Sequence, residues 1–243
     1  EWIRQRARRC TELYDGFRLD HLVGFYRTFV RERDGATAFV PPDEPSQRAQ
    51  GERILTLLLD SGARIFAEDL GVVPDFVRAS LVALQVPGLK VLRWERRWDE
   101  EGQPFRDPAD YPALSVATSG THDTETLAEW WDTAPDEERQ ACADLPGMHG
   151  ACPPDAPFSA RTRDALLALL YAAGSNNLIL PIQDIFGWAA RVNTPAVVDE
   201  RNWTWRLPWP VEDLVAEPEA TERAAFLRAL AAGHGRIEAR PAG

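Results

Sequence analysis

The sequence predicts an α/β fold of the eight-stranded parallel (β/α)8, or TIM, barrel type in incomplete form, and three observations predict it. Short apolar stretches alternate with helical patterns along the chain, the signature of parallel βαβ units. Three of these stretches lead into acids, Asp20, Glu68 and, just past the third, Asp123, and the strand ends of a barrel are where its chemistry sits. Only five strand candidates occur, too few to close a barrel of eight, although their spacing and loop lengths suit one.

Residues 1–12 read as a helix with a basic face, and the chain starts in mid-helix without an initiator Met. From Leu13 to Asp20 the pattern alternates, with Gly16, Arg18 and Asp20 on one side and Phe17 and Leu19 on the other, which is a strand period. A loop carrying Pro41, Pro42 and Pro45 follows. Residues 46–60 then form a helix through Ile54, Leu55, Leu57, Leu58 and Leu59, stopped by Gly62. Residues 63–68 are the second strand. Pro74 opens a helix to about Leu84, since proline is tolerated in a first turn. Pro87-Gly88 breaks it. Leu89 to Trp94 and Leu114 to Thr118 are the next strands, and the helix after them carries Leu127, Trp130 and Trp131. Residues 160–173 are an apolar helix, Asn177 to Ile182 the fifth strand, and 219–233 a last amphipathic helix. The segments 132–160 and 194–218, rich in proline and acids, read as helical excursions from one barrel domain over residues 1–243, not as linkers.

The net charge of −11 argues against nucleic-acid and anionic-membrane partners, which would repel the chain. Hydrophobic residues make up 44% of the 243, enough for a sizeable core. No apolar run approaches the roughly 18 residues of a membrane span, and Glu1 to Arg6 has no signal-peptide apolar core. The three cysteines, Cys10, Cys142 and Cys152, are odd in number and have no metal-ligand spacing. A reducing cytoplasm is the simplest reading, with pairing of Cys142 and Cys152 as the alternative in an oxidised protein. No Ser-His-Asp arrangement, phosphate loop or zinc spacing stands out.

In a parallel barrel all strand C-termini share one face, so Asp20, Glu68 and Asp123 would converge. Arg18 and Asp20 are two apart on a strand and point to the same side. A guanidinium beside a carboxylate favours the ionised form, which a carboxylate nucleophile needs. Glu68 follows Phe66 on its own side, with Ala67 and Leu70 nearby. A partly apolar setting raises a glutamate's pKa and suits it to act as a general acid. One ionised and one protonated carboxyl are the two parts of retaining glycoside chemistry. If a sugar hydroxyl and not water resolves the intermediate, the outcome is transfer. Asp123, with His122 beside it, could hold sugar hydroxyls. Ordinary readings stand next to these: Asp123 or Thr124 as a helix cap, Asp69 bonded to its loop, His21 and His122 as satisfied core histidines. The nine tryptophans suit sugar stacking or core packing alike.

Tyr14-Asp15-Gly16-Phe17-Arg18-Leu19-Asp20-His21, with Gly24-Phe25 following, resembles the fourth-strand motif of the amylomaltases. These are the 4-α-glucanotransferases, or disproportionating enzymes, of glycoside hydrolase family 77. Ile65 to Gly71 resembles the fifth-strand motif, Pro87 to Leu92 the start of the sixth strand, and Ser119 to Thr124 the seventh-strand motif. Pro181-Ile182-Gln183-Asp184 and Asn202 to Leu207 resemble the C-terminal signature. The resemblance implies that Asp20 is the nucleophile, Glu68 the acid/base and Asp123 the third carboxylate. It implies substrate contacts from Arg18, His122, His21, Asp184 and Asn193. It implies no metal or organic cofactor, and substrates drawn from maltodextrin, starch or glycogen-derived α-1,4-glucans. It also implies that the chain is the C-terminal part of a longer enzyme, carrying about strands four to eight. An α-amylase-type hydrolase and an inactive glucan-binding fragment are the competing readings.

Overall fold

The computed structural model describes residues 1–237, which fall into two compact units. The first comprises Glu1–Leu89 with Ala113–Val116; the second comprises Lys90–Pro112 and the chain from Ala117.

The first unit begins with helix α1 (Trp2–Leu13), strand β1 (Gly16–Leu19) and the one-turn α2 (Val23–Tyr26). A hairpin, β2 (Thr28–Arg31) and β3 (Thr37–Val40), leads to α3 (Glu44–Leu59), β4 (Arg64–Ala67) and α4 (Asp75–Ala83). β1 and β4 run parallel, in register from Gly16↔Arg64 to Leu19↔Ala67. Their apolar faces, with Leu22 just before α2 and Tyr26, Leu55 and Val77 from the helices, form one core.

Two segments between β1 and α3 differ from the sequence reading. Pro45 belongs to the first turn of α3 and not to the loop, because Asp43 caps the helix by accepting the Ser46 N–H at 2.9 Å. The stretch before Pro41 is an antiparallel hairpin, Thr28↔Val40 to Arg31↔Thr37, and not a loop. Its turn forms around Asp34-Gly35. Glu32 N–H donates to the Ala36 carbonyl, Asp34 Oδ1 accepts the Ala36 N–H, and Gly35 takes φ 91°.

Strand β5 (Gly88–Val91) joins β4 in parallel at Ala67↔Gly88. β6 (Ser115–Thr118) is divided between the two units, and the second continues with α5 (Leu127–Thr133), α6 (Asp136–Ala143) and α7 (Ala160–Tyr171). β7 (Asn177–Leu178), α8 (Ile182–Phe186) and α9 (Pro218–Gly233) follow. Strand order in the five-stranded sheet is β1-β4-β5-β6-β7, so strands successive in the barrel scheme are neighbours. β5 stops at Val91 and gives way to a 3-10 turn over Leu92–Trp94. β7 stops at Leu178, four residues short of the expected end, because Pro181 opens α8. The core of this unit gathers Leu92, Ala117, Leu127, Trp131, Leu166 and Leu170. Trp130 and Trp131 lie in that core, which settles their role as packing. Cys142 and Cys152 are buried free thiols, and burial pushes the Cys142 thiol far up, so it stays protonated. No helix among the described residues is long and apolar enough to cross a membrane.

Candidate active site

Because β1 and β4 are parallel and in register, the residues that follow them, Asp20 and Glu68, emerge from neighbouring strand ends. The backbone continues the ladder: Glu68 N–H donates to the Leu19 carbonyl at 3.0 Å and Leu22 N–H to the Glu68 carbonyl at 3.2 Å. Arg18 lies on β1 two residues before Asp20. Its Nη2 donates to Asp20 Oδ1 at 2.8 Å and to Glu68 Oε2 at 2.5 Å. One nitrogen therefore holds both carboxyls side by side. The same Glu68 oxygen accepts the His21 N–H at 3.0 Å, and His21 reaches it by taking φ 44°, a left-handed backbone rare for a residue with a side chain. Asp20 is 76% exposed and Glu68 only 22%.

That difference sets the protonation chemistry. Burial pushes the Glu68 carboxyl above the ordinary glutamate value, and its hydrogen bond with Asp20 and the nearby Asp20 charge push the same way. The His21 N–H and the Arg18 charge oppose this without cancelling it. The setting of Glu68 is thus less apolar than Phe66 and Ala67 alone suggest, since two donors touch it.

Asp69, next to Glu68, is buried and turns to the neighbouring strand. Its Oδ1 accepts the Leu89 N–H at 2.8 Å and its Oδ2 accepts from Arg78 Nη1 at 2.8 Å. Gly88 makes room for it: a Cβ there would lie 2.5 Å from Asp69 Oδ1. Asp69 therefore joins the ends of β4 and β5 and does more than bond to its own loop.

In the second unit, the turn after β6 carries His122 and Asp123. It is closed by Thr124 Oγ1, which accepts the Thr121 N–H at 2.9 Å and donates to the Thr121 carbonyl at 3.0 Å. Asp123 does not cap the next helix. Thr126 does, in a capping box with Glu129. Asp123 Oδ1 accepts from Asn193 Nδ2 at 2.6 Å, its Oδ2 lies 3.3 Å from His122 Nε2, and the Asn193 N–H donates to the His122 carbonyl at 3.1 Å. His21 and His122 both have solvent access, so neither is a core histidine.

Three residues that the sequence reading passes over hold this turn. Arg191 donates from Nη2 to the Asp123 carbonyl at 2.6 Å, from Nε to the Asn193 carbonyl at 2.6 Å and from Nη1 to Glu125 Oε1 at 2.7 Å. Buried Arg93 donates to Glu125 Oε2 at 3.1 Å and to the Glu125 carbonyl at 2.7 Å. Partial burial works against ionisation of Glu125, but its own backbone N–H, Arg191 and Arg93 outweigh this and hold its carboxyl below the usual value. The only sequence signal is an Arg two residues before Asn193.

Asp184 is 1% exposed, with Oδ2 accepting from Ser119 Oγ at 2.5 Å and Oδ1 accepting the Leu127 N–H at 2.7 Å. It has no surface for a sugar. It ties the start of the turn to the start of α5, so the substrate contact read for it is replaced by a supporting role.

The chain belongs to glycoside hydrolase family 77, 4-alpha-glucanotransferase, whose family model matches residues 1–212. It is 30% identical over 224 residues to the 4-alpha-glucanotransferase of Chlamydia pneumoniae, covering 88% of this chain and 41% of that protein. It is 33% identical over 225 residues to that of Chlamydia trachomatis serovar D, with the same coverages. The fold matches the amylomaltase from Streptococcus agalactiae in complex with acarbose with a TM-score of 0.72 and 26% identity, over 97% of this chain and 44% of that one. The chain spans about two fifths of the length of these relatives.

Proposed function

We propose that this chain supplies the nucleophile, the acid/base and the third carboxylate of a retaining 4-α-glucanotransferase acting on maltodextrins and related α-1,4-glucans in the cytoplasm. The observation that carries the reading is the sharing of Arg18 Nη2 by Asp20 and Glu68, with the Glu68 pKa raised. In the first step an Asp20 carboxylate oxygen attacks the anomeric carbon, the bond to the departing O4 breaks, and the Glu68 proton goes to that oxygen. Esterification then removes the Asp20 charge and its hydrogen bond, both of which raise the Glu68 pKa. The Glu68 carboxylate left by the first step is thereby kept ionised and able to take up the proton of the acceptor. The 4-hydroxyl of an acceptor glucose attacks the anomeric carbon, gives its proton to Glu68 and releases Asp20. Asp123, oriented by Asn193 and beside His122, holds hydroxyls of the sugar being cleaved, where hydrogen bonds that tighten in the transition state lower the barrier. The acidic chain has no affinity for nucleic acid or anionic membrane in this reading.

Incubating the protein that contains this chain, at its natural full length, with maltotriose tests the reading. A ladder of longer maltodextrins together with free glucose is the expected product. Release of short sugars alone assigns an amylase-type hydrolase, and binding without turnover assigns a glucan-binding protein.

A further inference from the structure

The geometry points to Trp203 as an aromatic platform that stacks on the glucosyl unit adjoining the one held by Asp123 and His122. The inference rests on the glucanotransferase reading and extends it to a residue outside the carboxylate set. Trp203 is 60% exposed, whereas Trp130 and Trp131 are enclosed in the core. Its ring lies 5.2 Å from the His122 imidazole, centroid to centroid, at 38°. It therefore borders the side chain that stands 3.3 Å from Asp123 Oδ2.

The backbone is built to hold it there. Trp203 adopts φ 64°, a left-handed conformation unfavourable for a bulky residue, and such strain persists only where the surroundings enforce it. The Trp203 N–H donates to the Val192 carbonyl at 2.8 Å, next to Asn193. Asn202 Oδ1 accepts the Thr194 N–H at 2.9 Å, while its Nδ2 donates to the carbonyls of Thr194 and Val197 at 3.2 and 2.9 Å. Arg191 in turn bonds the Asp123 and Asn193 carbonyls. The indole is thus fixed to the Asn193 segment that orients Asp123. Trp188, Trp205 and Trp209, by contrast, spend their faces on one another and on Phe186. An exposed indole face presents a flat apolar surface that matches the C–H face of a pyranose.

Kinetics of maltotriose disproportionation by the full-length protein decide the matter. Trp203→Ala is expected to raise KM about tenfold, the scale of one lost aromatic contact, with kcat within about twofold. Trp203→Phe recovers most of the affinity because it restores a ring face. Trp203→Leu preserves bulk if the alanine variant fails to fold, and it is expected to show the same KM defect. Wild-type KM in the folded leucine variant overturns the inference, as does a fall in kcat at unchanged KM, which makes Trp203 a buttress of His122. Asp123→Asn, run in parallel, separates the two failures. If it loses activity while the Trp203 variants match wild type, the platform alone is refuted. Full activity in Asp123→Asn as well refutes the underlying reading.

Discussion

The two carboxylate clusters are built on opposite electrostatic plans. After β1 and β4, two acids share one arginine nitrogen, one acid being well exposed and the other mostly buried. After β6, the acid that faces outward meets a neutral amide and an imidazole, and the arginines bond backbone carbonyls and Glu125 behind it. In the first arrangement the neighbouring acid helps to raise the Glu68 pKa. In the second an amide fixes the carboxylate while the arginines bond backbone carbonyls and Glu125. The roles proposed above ask for these two different things, since an acid/base needs a tuned pKa whereas hydroxyl binding needs rigid support.

The contrast breaks most severely at Asp20. In the complete protein, Asp20→Asn is expected to lower kcat on the order of 10⁴-fold or more, as loss of a nucleophile does. Glu68→Gln should cost about 10²–10⁴-fold with an ordinary glucan donor, the usual range for a missing general acid. The wild-type pH profile sharpens this. With the Glu68 pKa raised, activity falls as pH rises through that value, and the basic limb should disappear in Glu68→Gln, read from kcat/KM against pH. The same shift gives the sign for stability. The protonated form is favoured by the fold, so the contribution of Glu68 is full below the ordinary glutamate value and is lost as pH rises through the raised one.

Smaller effects belong to the supporting residues. Glu125→Gln removes the charged partner of Arg93 and Arg191 and leaves Asp20 and Glu68 untouched. It should lower kcat/KM roughly tenfold, about one charge-assisted hydrogen bond, without moving the basic limb set by Glu68. Gly88→Ala places a methyl group 2.5 Å from the Asp69 carboxylate and should cost about 2 kcal/mol of stability in denaturant unfolding, as overpacking does.

Strands β1, β4 and β6 are legible in the sequence because their alternation and terminal acids are local. The hairpin β2–β3 escapes the same reading although Asp34-Gly35 lies between Thr28-Phe29-Val30 and Ala38-Phe39-Val40. The prolines that follow suggest a loop, and β-prone residues around an Asp-Gly turn are the signal that outweighs them. Arg18 and Asp20 can be paired from strand spacing alone, and Glu68 joins them only through the parallel-barrel scheme that puts all strand ends on one face. Arg93, Glu125 and Arg191 cannot, because 32 residues separate Arg93 from Glu125 and 66 separate Glu125 from Arg191. No local period records a contact of that range. Asp184 misleads for a related reason: its motif is recognisable, but burial decides whether an acid faces substrate or supports the fold.

The division of labour between Asp20 and Glu68 can be tested by trapping. In the complete Glu68→Gln protein, a maltosyl fluoride donor needs no acid to release its leaving group. The amide introduced by that substitution cannot activate an acceptor, so the covalent intermediate should accumulate. Peptide mass spectrometry is predicted to find a maltosyl ester on Asp20. An adduct on another carboxylate, or turnover of the donor with no adduct and an inverted anomeric product, would contradict the assignment.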